Sequence, residues 1–182
     1  MCHRGRYSPR ELYAGGHARE LQRRLGGSFP GNPDPATKDW LHVDDEDSGV
    51  TFAGGWFSNW NCNGGQYGDR SHYATKPDAK ATYPLPVTRP GRYALKGIVP
   101  HLFNYTFSPV ANIAVRSGGK TTNLVWRQLR DSGFWVDLGE LDLEPGATLE
   151  LSVGDVNPAD HKSRWFSGSA AVADGFALAP VR

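Results

Sequence analysis

Cysteine is nearly absent from the sequence, which contains only Cys2 and Cys62 among its 182 residues. Two cysteines are too few for the disulfide framework that stabilises many small secreted domains. Neither lies at a cysteine and histidine spacing that is typical of a zinc site. We expect two free thiols, with a Cys2–Cys62 bridge as the alternative.

Long apolar runs and methionine are also scarce. No segment approaches the ~18 consecutive apolar residues that a membrane-spanning helix needs. The opening, MCHRGRYS, has no apolar run after its basic residues, so it does not predict a secretory signal. We therefore expect no membrane partner, and a cytoplasmic chain unless it is a fragment of a longer protein. The single methionine argues against a Leu- and Met-rich helical bundle.

Neither sign of charge is in excess, because the formal net charge is +1. This balance argues against nucleic acid as a partner of the whole chain. Six arginines against two glutamates make residues 1–30 basic. Such a segment is typical of a solvated helix or linker, and phosphate binding is the alternative.

Glycine, proline and aromatic residues are plentiful, and they favour short strands joined by tight turns. From Trp40 onward, apolar residues alternate with polar ones, as in GRYALKGIV and ATLELSV. A period of two is typical of strands with one face in a core. Turn signals such as Pro90-Gly91 and Pro145-Gly146 separate the strands. The pattern predicts an all-β, antiparallel β-sandwich, jelly-roll-like, of about eight strands.

The first 39 residues have a different pattern. Ser8, Pro9 and Glu11 resemble the start of a helix, and Gly26-Gly27 would end it. The following SFPGNPDPATKD is rich in proline and reads as a linker. We predict a helical leader and linker over residues 1–39 and a β-sandwich domain over residues 40–182.

The segment WFSNWNCNGGQYGDRSHYA, residues 56–74, gathers aromatic rings among turn-forming residues. A sugar-binding surface needs flat rings for stacking and polar groups for the hydroxyls. Trp56 and Trp135 are instead predicted to lie in the core. The alternative is that the rings close the ends of the sandwich. The candidate ligand-binding residues are Trp60, Tyr67, Asp69, Arg70, Tyr73 and Trp165.

The acidic run at residues 44–47 is compatible with a calcium site, because Ca²⁺ prefers several oxygen ligands. Asp44 and Asp47 are the candidate ligands, and Asp174 joins them if the first and last strands are neighbours. Solvated carboxylates are the alternative for the run. For Asp174 itself, the favoured role is to accept hydrogen bonds from backbone amides of a neighbouring loop, which would hold the final strand in place.

No motif indicates an active site, and we expect a domain without catalytic activity. The serines stand in turn sequences and not in the G-x-S-x-G motif of a nucleophile elbow. His72 near Asp69 is the one combination with acid–base potential, and hydrogen bonding within a turn is the alternative. A pair of glycosidase carboxylates stays open, because the sequence does not give their separation in space.

The order of motifs from Trp40 to Arg182 resembles the golvesin C-terminal-like domain, also called the xanthan-lyase carbohydrate-binding-like domain. GFWVDLGELDLEPGATLELSVGD and AVADGFALAPV are similar to its last strands, and VDDEDSGVTFAGGW, QYGDRSHYA and PGRYAL to its earlier motifs. The stretch VNPADHKSRWFSGSA looks like an insertion relative to that family. The matching residues are Val43, Asp44, Asp47, Trp56, Trp135, Leu138, Gly139, Gly146 and Ala173-Asp174.

The resemblance implies a β-sandwich module that accompanies a catalytic domain, secreted if the chain is a fragment. We therefore expect an accessory module that binds a polysaccharide or glycan, or supports a neighbouring enzyme domain. One alternative is the C-terminal part of an FAD-dependent oxidoreductase-like or polysaccharide lyase protein. The segment before Trp40 has no G-x-G-x-x-G fingerprint for a flavin. A protein–protein interaction domain is the second alternative.

Overall fold

The computed structural model of the chain describes residues 40–59, 67, 70–100, 108–128, 133–154 and 169–181. Every regular element in these residues is a β-strand, and none is a helix that could cross a membrane. Thirteen strands lie in this part of the chain. They are β1 (Leu41–Val43), β2 (Thr51–Ala53), β3 (Trp56–Asn59), β4 (Ser71–Ala74), β5 (Lys80–Pro84), β6 (Gly91–Gly97), β7 (Ser108–Pro109), β8 (Ala111–Ser117), β9 (Lys120–Trp126), β10 (Val136–Leu143), β11 (Thr148–Val153), β12 (Ser169–Ala173) and β13 (Phe176–Pro180).

The strands form three sheets. A four-stranded sheet has the order β1-β13-β6-β10, and a five-stranded sheet has the order β2-β5-β11-β8-β9. A smaller sheet has the order β3-β4-β12-β7. All pairings are antiparallel except the short one between β12 and β7. The first and last described strands are neighbours, with His42 opposite Ala177.

The core lies between the four-stranded and the five-stranded sheet. Tyr93 and Leu95 on β6 are buried, and so are Leu149 and Leu151 on β11, while residues between them are more exposed. The Tyr83 ring of β5 meets the Phe176 ring of β13 edge-on, with centroids 4.9 Å apart. This confirms the predicted antiparallel β-sandwich and the alternating strands that carry it.

The predicted count of about eight strands is too low. The additional strands include β1 and β2, with three residues each, and β7, with two. Segments this short show no period of two, so the sequence pattern does not reveal them. The parallel pairing of β12 with β7 covers only two residue pairs and was not expected. The predicted helical leader and linker, and both cysteines, lie outside the described residues.

A buried glutamine completes the hydrogen bonding of β12. Gln128 is fully buried, its Nε2 donates to the carbonyl oxygen of Val172 at 2.6 Å, and its Oε1 accepts from the Val172 N–H at 2.8 Å. The pairing of β7 with β12 ends at Ala170. The glutamine side chain thus takes the place of a neighbouring strand next to the segment that leads to Asp174.

Candidate functional site

Three carboxylates meet where β1 ends and β13 begins. Asp44 and Asp45 follow β1, and Asp174 lies between β12 and β13. One oxygen from each of the three side chains lies within 4.8 Å of the others. Asp45 is 2% exposed and Asp174 is 1% exposed. The pairing of β1 with β13 brings these residues together from distant parts of the sequence.

Burial and neighbouring charges raise the pKa values of all three carboxyl groups. Burial raises the pKa of Asp45 to about 9, and a hydrogen bond with Asp44 and the charges of Asp44 and Glu46 add to the effect. Burial also raises the pKa of Asp174 well above its usual value, with a further contribution from Asp45. The pKa of Asp44 is raised by burial as well. Desolvation disfavours the charged form, and neighbouring like charges disfavour it further.

Each of the two most buried carboxylates has one oxygen fixed by the protein. Asp45 Oδ2 lies 2.6 Å from His72 Nδ1, and Asp174 Oδ1 accepts from the Tyr67 backbone N–H at 3.0 Å. Burial lowers the pKa of His72 and raises that of Asp45, because the charged form of each group is disfavoured away from water. Asp45 Oδ1 and Asp174 Oδ2, within the described part of the chain, are buried without a hydrogen-bond partner.

The bond between Tyr67 and Asp174 agrees with the role expected of Asp174 as an acceptor for a loop amide. Asp44, predicted as a metal ligand, lies in the cluster together with Asp174. Asp47 instead accepts a hydrogen bond from the Asp44 N–H through its Oδ2 at 2.9 Å, which closes the turn after β1. The sequence analysis did not select Asp45, which stands in the same acidic run.

An aromatic cluster lies beside the carboxylates. The rings of His42 and Tyr67 are stacked, with centroids 5.3 Å apart and 14° between their planes. The Trp135 ring meets both edge-on, at 5.6 Å from His42 and 5.5 Å from Tyr67. All three residues are half-buried. We call His42, Tyr67 and Trp135 the aromatic cluster below.

Two members of the aromatic cluster differ from the sequence-based expectation. Trp135 was predicted to lie in the core, and this is wrong, because it is half-buried and packs on His42 and Tyr67. The inward positions of this segment are taken by Val136 and Leu138, which pack against the core. His42 was not a candidate, although its place between Leu41 and Val43 in an alternating strand directs it away from Val43.

A second group of rings lies on the smaller sheet. Tyr73 of β4 stands opposite Phe57 of β3, with ring centroids 5.4 Å apart. Tyr73 is half-buried and packs against the core, whereas Phe57 is 52% exposed. Trp56 packs against the core and meets Phe52 at 5.4 Å, as expected. The structure therefore places Tyr73 and Tyr67 in different groups of rings.

The other candidate residues are dispersed or not described. Arg70 is partly exposed, and its Nε lies 3.7 Å from Glu46 Oε1. His72 lies in β4 and contacts Asp45, and its expected relation to Asp69 cannot be placed because Asp69 lies outside the described residues. Trp60 and Trp165 also lie outside them.

Comparison with known proteins gives similarities of structure. No family model and no curated protein matches the sequence. A Paenibacillus xanthan lyase matches with a TM-score of 0.61 and 21% identity, over 79% of this chain and 13% of that chain. A Podospora anserina GH26-CBM35 β-(1,4)-mannanase matches with a TM-score of 0.53 and 16% identity, over 79% of this chain and 28% of that chain.

These two similarities show that the chain has a β-sandwich fold also present in the two enzymes. At identities of 21% and 16% they show the fold alone. The chain spans less than a third of the length of either protein. A family 35 carbohydrate-binding module from Clostridium thermocellum also matches, with a TM-score of 0.47 and 16% identity, over 76% of this chain and 98% of that chain.

Proposed function

We propose that the domain is a non-catalytic carbohydrate-binding module that accompanies a catalytic domain, and that the aromatic cluster is its binding surface. The observation that carries the proposal is the packing of three half-buried rings beside a group of carboxylates. Aromatic rings bury the apolar face of a sugar ring, while neighbouring polar atoms bind its hydroxyls.

Polar atoms of the aromatic cluster support this proposal. Within the described residues, His42 Nε2 and Trp135 Nε1 are shielded polar atoms without a hydrogen-bond partner. Buried polar groups are ordinarily paired, so atoms of this kind are candidates for pairing with a ligand or with water. Burial lowers the pKa of His42, so its ring is neutral at neutral pH and adds no charge that would favour an ionic ligand.

The names of the structural neighbours favour polysaccharides as the class of ligand. One of the structural neighbours is a xanthan lyase, and another is a mannanase whose name includes a carbohydrate-binding module. Both names refer to polysaccharides, and this chain matches only a minor part of each protein. These facts favour a module that acts beside an enzyme domain. We also propose that the domain is golvesin-like and that its strands follow a jelly-roll order.

The test is binding of xanthan and β-(1,4)-mannan oligosaccharides, followed by a wider glycan array, with isothermal titration for each positive glycan. Tyr67→Ala and Trp135→Ala are expected to weaken binding by at least about tenfold, because stacking on an aromatic ring contributes one to a few kcal/mol. Phe57→Ala is the matched control, since it removes a half-exposed ring of the other group.

Three results would contradict the proposal. If no glycan on the array binds, the domain is not a carbohydrate-binding module. If Phe57→Ala weakens binding while Tyr67→Ala and Trp135→Ala do not, the surface is the one that Phe57 shares with Tyr73. If Tyr67→Ala and Trp135→Ala lower the melting temperature as much as a core substitution does, the rings serve the stability of the sandwich.

A further inference from the structure

The three carboxylates after β1 and before β13 are poor stabilisers of the fold by themselves. Burying a carboxyl group away from water is costly unless it is paired, and three such groups in contact repel one another when ionised. The protein holds one oxygen of Asp45 against His72, and one oxygen of Asp174 accepts from the Tyr67 N–H. The second oxygen of each of these two side chains is buried and unpaired within the described structure.

These unpaired oxygens distinguish the cluster from an ordinary group of solvated acidic residues. Asp45 and Asp174 are both more than nine-tenths buried, so bulk water does not reach their unpaired oxygens to hydrogen-bond with them. Asp44 Oδ1 is likewise shielded and unpaired. One orphaned oxygen from each carboxylate is what a bound cation would satisfy, and unsatisfied buried groups of this kind call for such an explanation.

The dimensions of the cluster fit calcium. Ca²⁺ binds oxygen at about 2.3–2.6 Å, so two of its ligands lie up to about 5 Å apart. The three carboxylates offer oxygens within 4.8 Å of one another. Mg²⁺ requires shorter bonds and keeps several waters, which suits a buried site less well. Zn²⁺ favours nitrogen and sulfur ligands, and the nearby nitrogen of His72 is engaged with Asp45.

We propose that Asp44, Asp45 and Asp174 bind a calcium ion, and that this ion fixes Tyr67 in the aromatic cluster. The connection to Tyr67 is direct, because its backbone N–H donates to Asp174 Oδ1. Gly175 follows Asp174 and lies under Tyr67, where a Cβ would come within 2.8 Å of the Tyr67 Cβ. The effect on Tyr67 rests on the proposed carbohydrate binding, whereas the calcium site itself does not.

The experiment begins with calcium alone and the whole chain, freed of metal with a chelator and desalted. Calcium is expected to raise the melting temperature by about 5–10 °C at 100-fold its dissociation constant, since an ion that binds only the folded state stabilises it. Isothermal titration is expected to give one site per chain. Terbium is expected to replace calcium and to show luminescence sensitised by the rings of Tyr67 and Trp135.

Substitutions then locate the site. Asp44→Asn and Asp174→Asn are expected to weaken calcium binding by at least about tenfold, because each removes a charged ligand. Asp142→Asn is the control, as it removes a carboxylate whose side chain is 83% exposed on β10. Asp44→Asn also covers the case in which Asp174→Asn fails to fold, because Asp44 is less buried.

The outcomes separate the two proposals. Calcium binding that is lost in Asp44→Asn and kept in Asp142→Asn supports the site, whether or not any glycan binds. No melting shift and no terbium signal with the unsubstituted chain would overturn it. Equal affinity in all variants would place the ion elsewhere and would also overturn it. If calcium binds but glycan affinity is the same with calcium and with chelator, the effect on Tyr67 is refuted and the calcium site is kept.

Discussion

Replacing Gln128 with methionine is expected to destabilise the domain strongly, although methionine is apolar and of similar length. The side-chain amide makes two hydrogen bonds with the backbone of Val172, at 2.6 and 2.8 Å, and both residues are buried. A buried backbone group left without a partner costs about 1–3 kcal/mol. Two such groups give a loss of about 2–6 kcal/mol in the free energy of unfolding, of which relaxation of β12 would recover a part.

Equilibrium unfolding in urea measures this loss, with the dependence on denaturant checked for a single transition. Gln128→Ala is expected to lose more than Gln128→Met, because it also leaves a cavity. Asn123→Met, at an exposed position of β9, is the control and is expected to change stability by no more than about 0.5 kcal/mol. If Gln128→Met is as stable as the unsubstituted chain, the amide does not serve as a substitute for a strand.

Three other substitutions test single contacts of the structure. Gly175→Ala is expected to displace Tyr67, because the new Cβ would lie 2.8 Å from the Tyr67 Cβ. A crystal structure of the variant would show the shift, and an unmoved Tyr67 ring would contradict the reasoning. Tyr83→Phe is expected to lower the free energy of unfolding, measured in urea, by about 0.5–1.5 kcal/mol, because the Tyr83 hydroxyl donates to the Asp174 carbonyl oxygen at 3.0 Å. An unchanged free energy of unfolding would show that this hydrogen bond does not stabilise the fold. Glu150→Gln is expected to reduce the acid sensitivity of stability. Burial raises the pKa of Glu150, but hydrogen bonds and ion pairs with Lys80 and Arg116 outweigh burial and leave the pKa below 4.5. The stabilisation is therefore present above pH 4.5 and is lost as the pH falls through the folded-state pKa, and melting curves that respond to acid equally with and without Glu150 would contradict this.

The fold could be predicted where strands are long enough to show their period. β6 and β11 each bury alternate residues, such as Leu95 and Leu149, over six or seven positions. β7 has only two residues, and its place beside β12 follows from contacts distant in sequence. A local sequence pattern carries no information on contacts between distant segments. The number of strands and their grouping into three sheets could therefore not be predicted from the sequence.

The candidate site could be predicted only in part, for a similar reason. The acidic run and Asp174 were identified as chemistry-bearing residues, but which carboxylate of the run turns inward depends on the backbone of one turn. Asp47 accepts the Asp44 N–H, and Asp45 is then directed to His72. Trp135 stands directly before β10, so the alternation of buried and exposed residues that begins at Val136 does not determine whether the Trp135 side chain faces the core.

The meeting of β1 with β13 has a consequence for the order in which the domain folds. Asp44 and Asp45 reach Asp174 only after nearly the whole described chain has been brought together, because the two strands stand at its opposite ends. Contacts between such distant segments are entropically costly and are expected to form late. Interactions absent from the transition state act mainly by slowing unfolding. The pairing of β1 with β13 is therefore expected to prolong the lifetime of the finished sandwich without hastening its assembly.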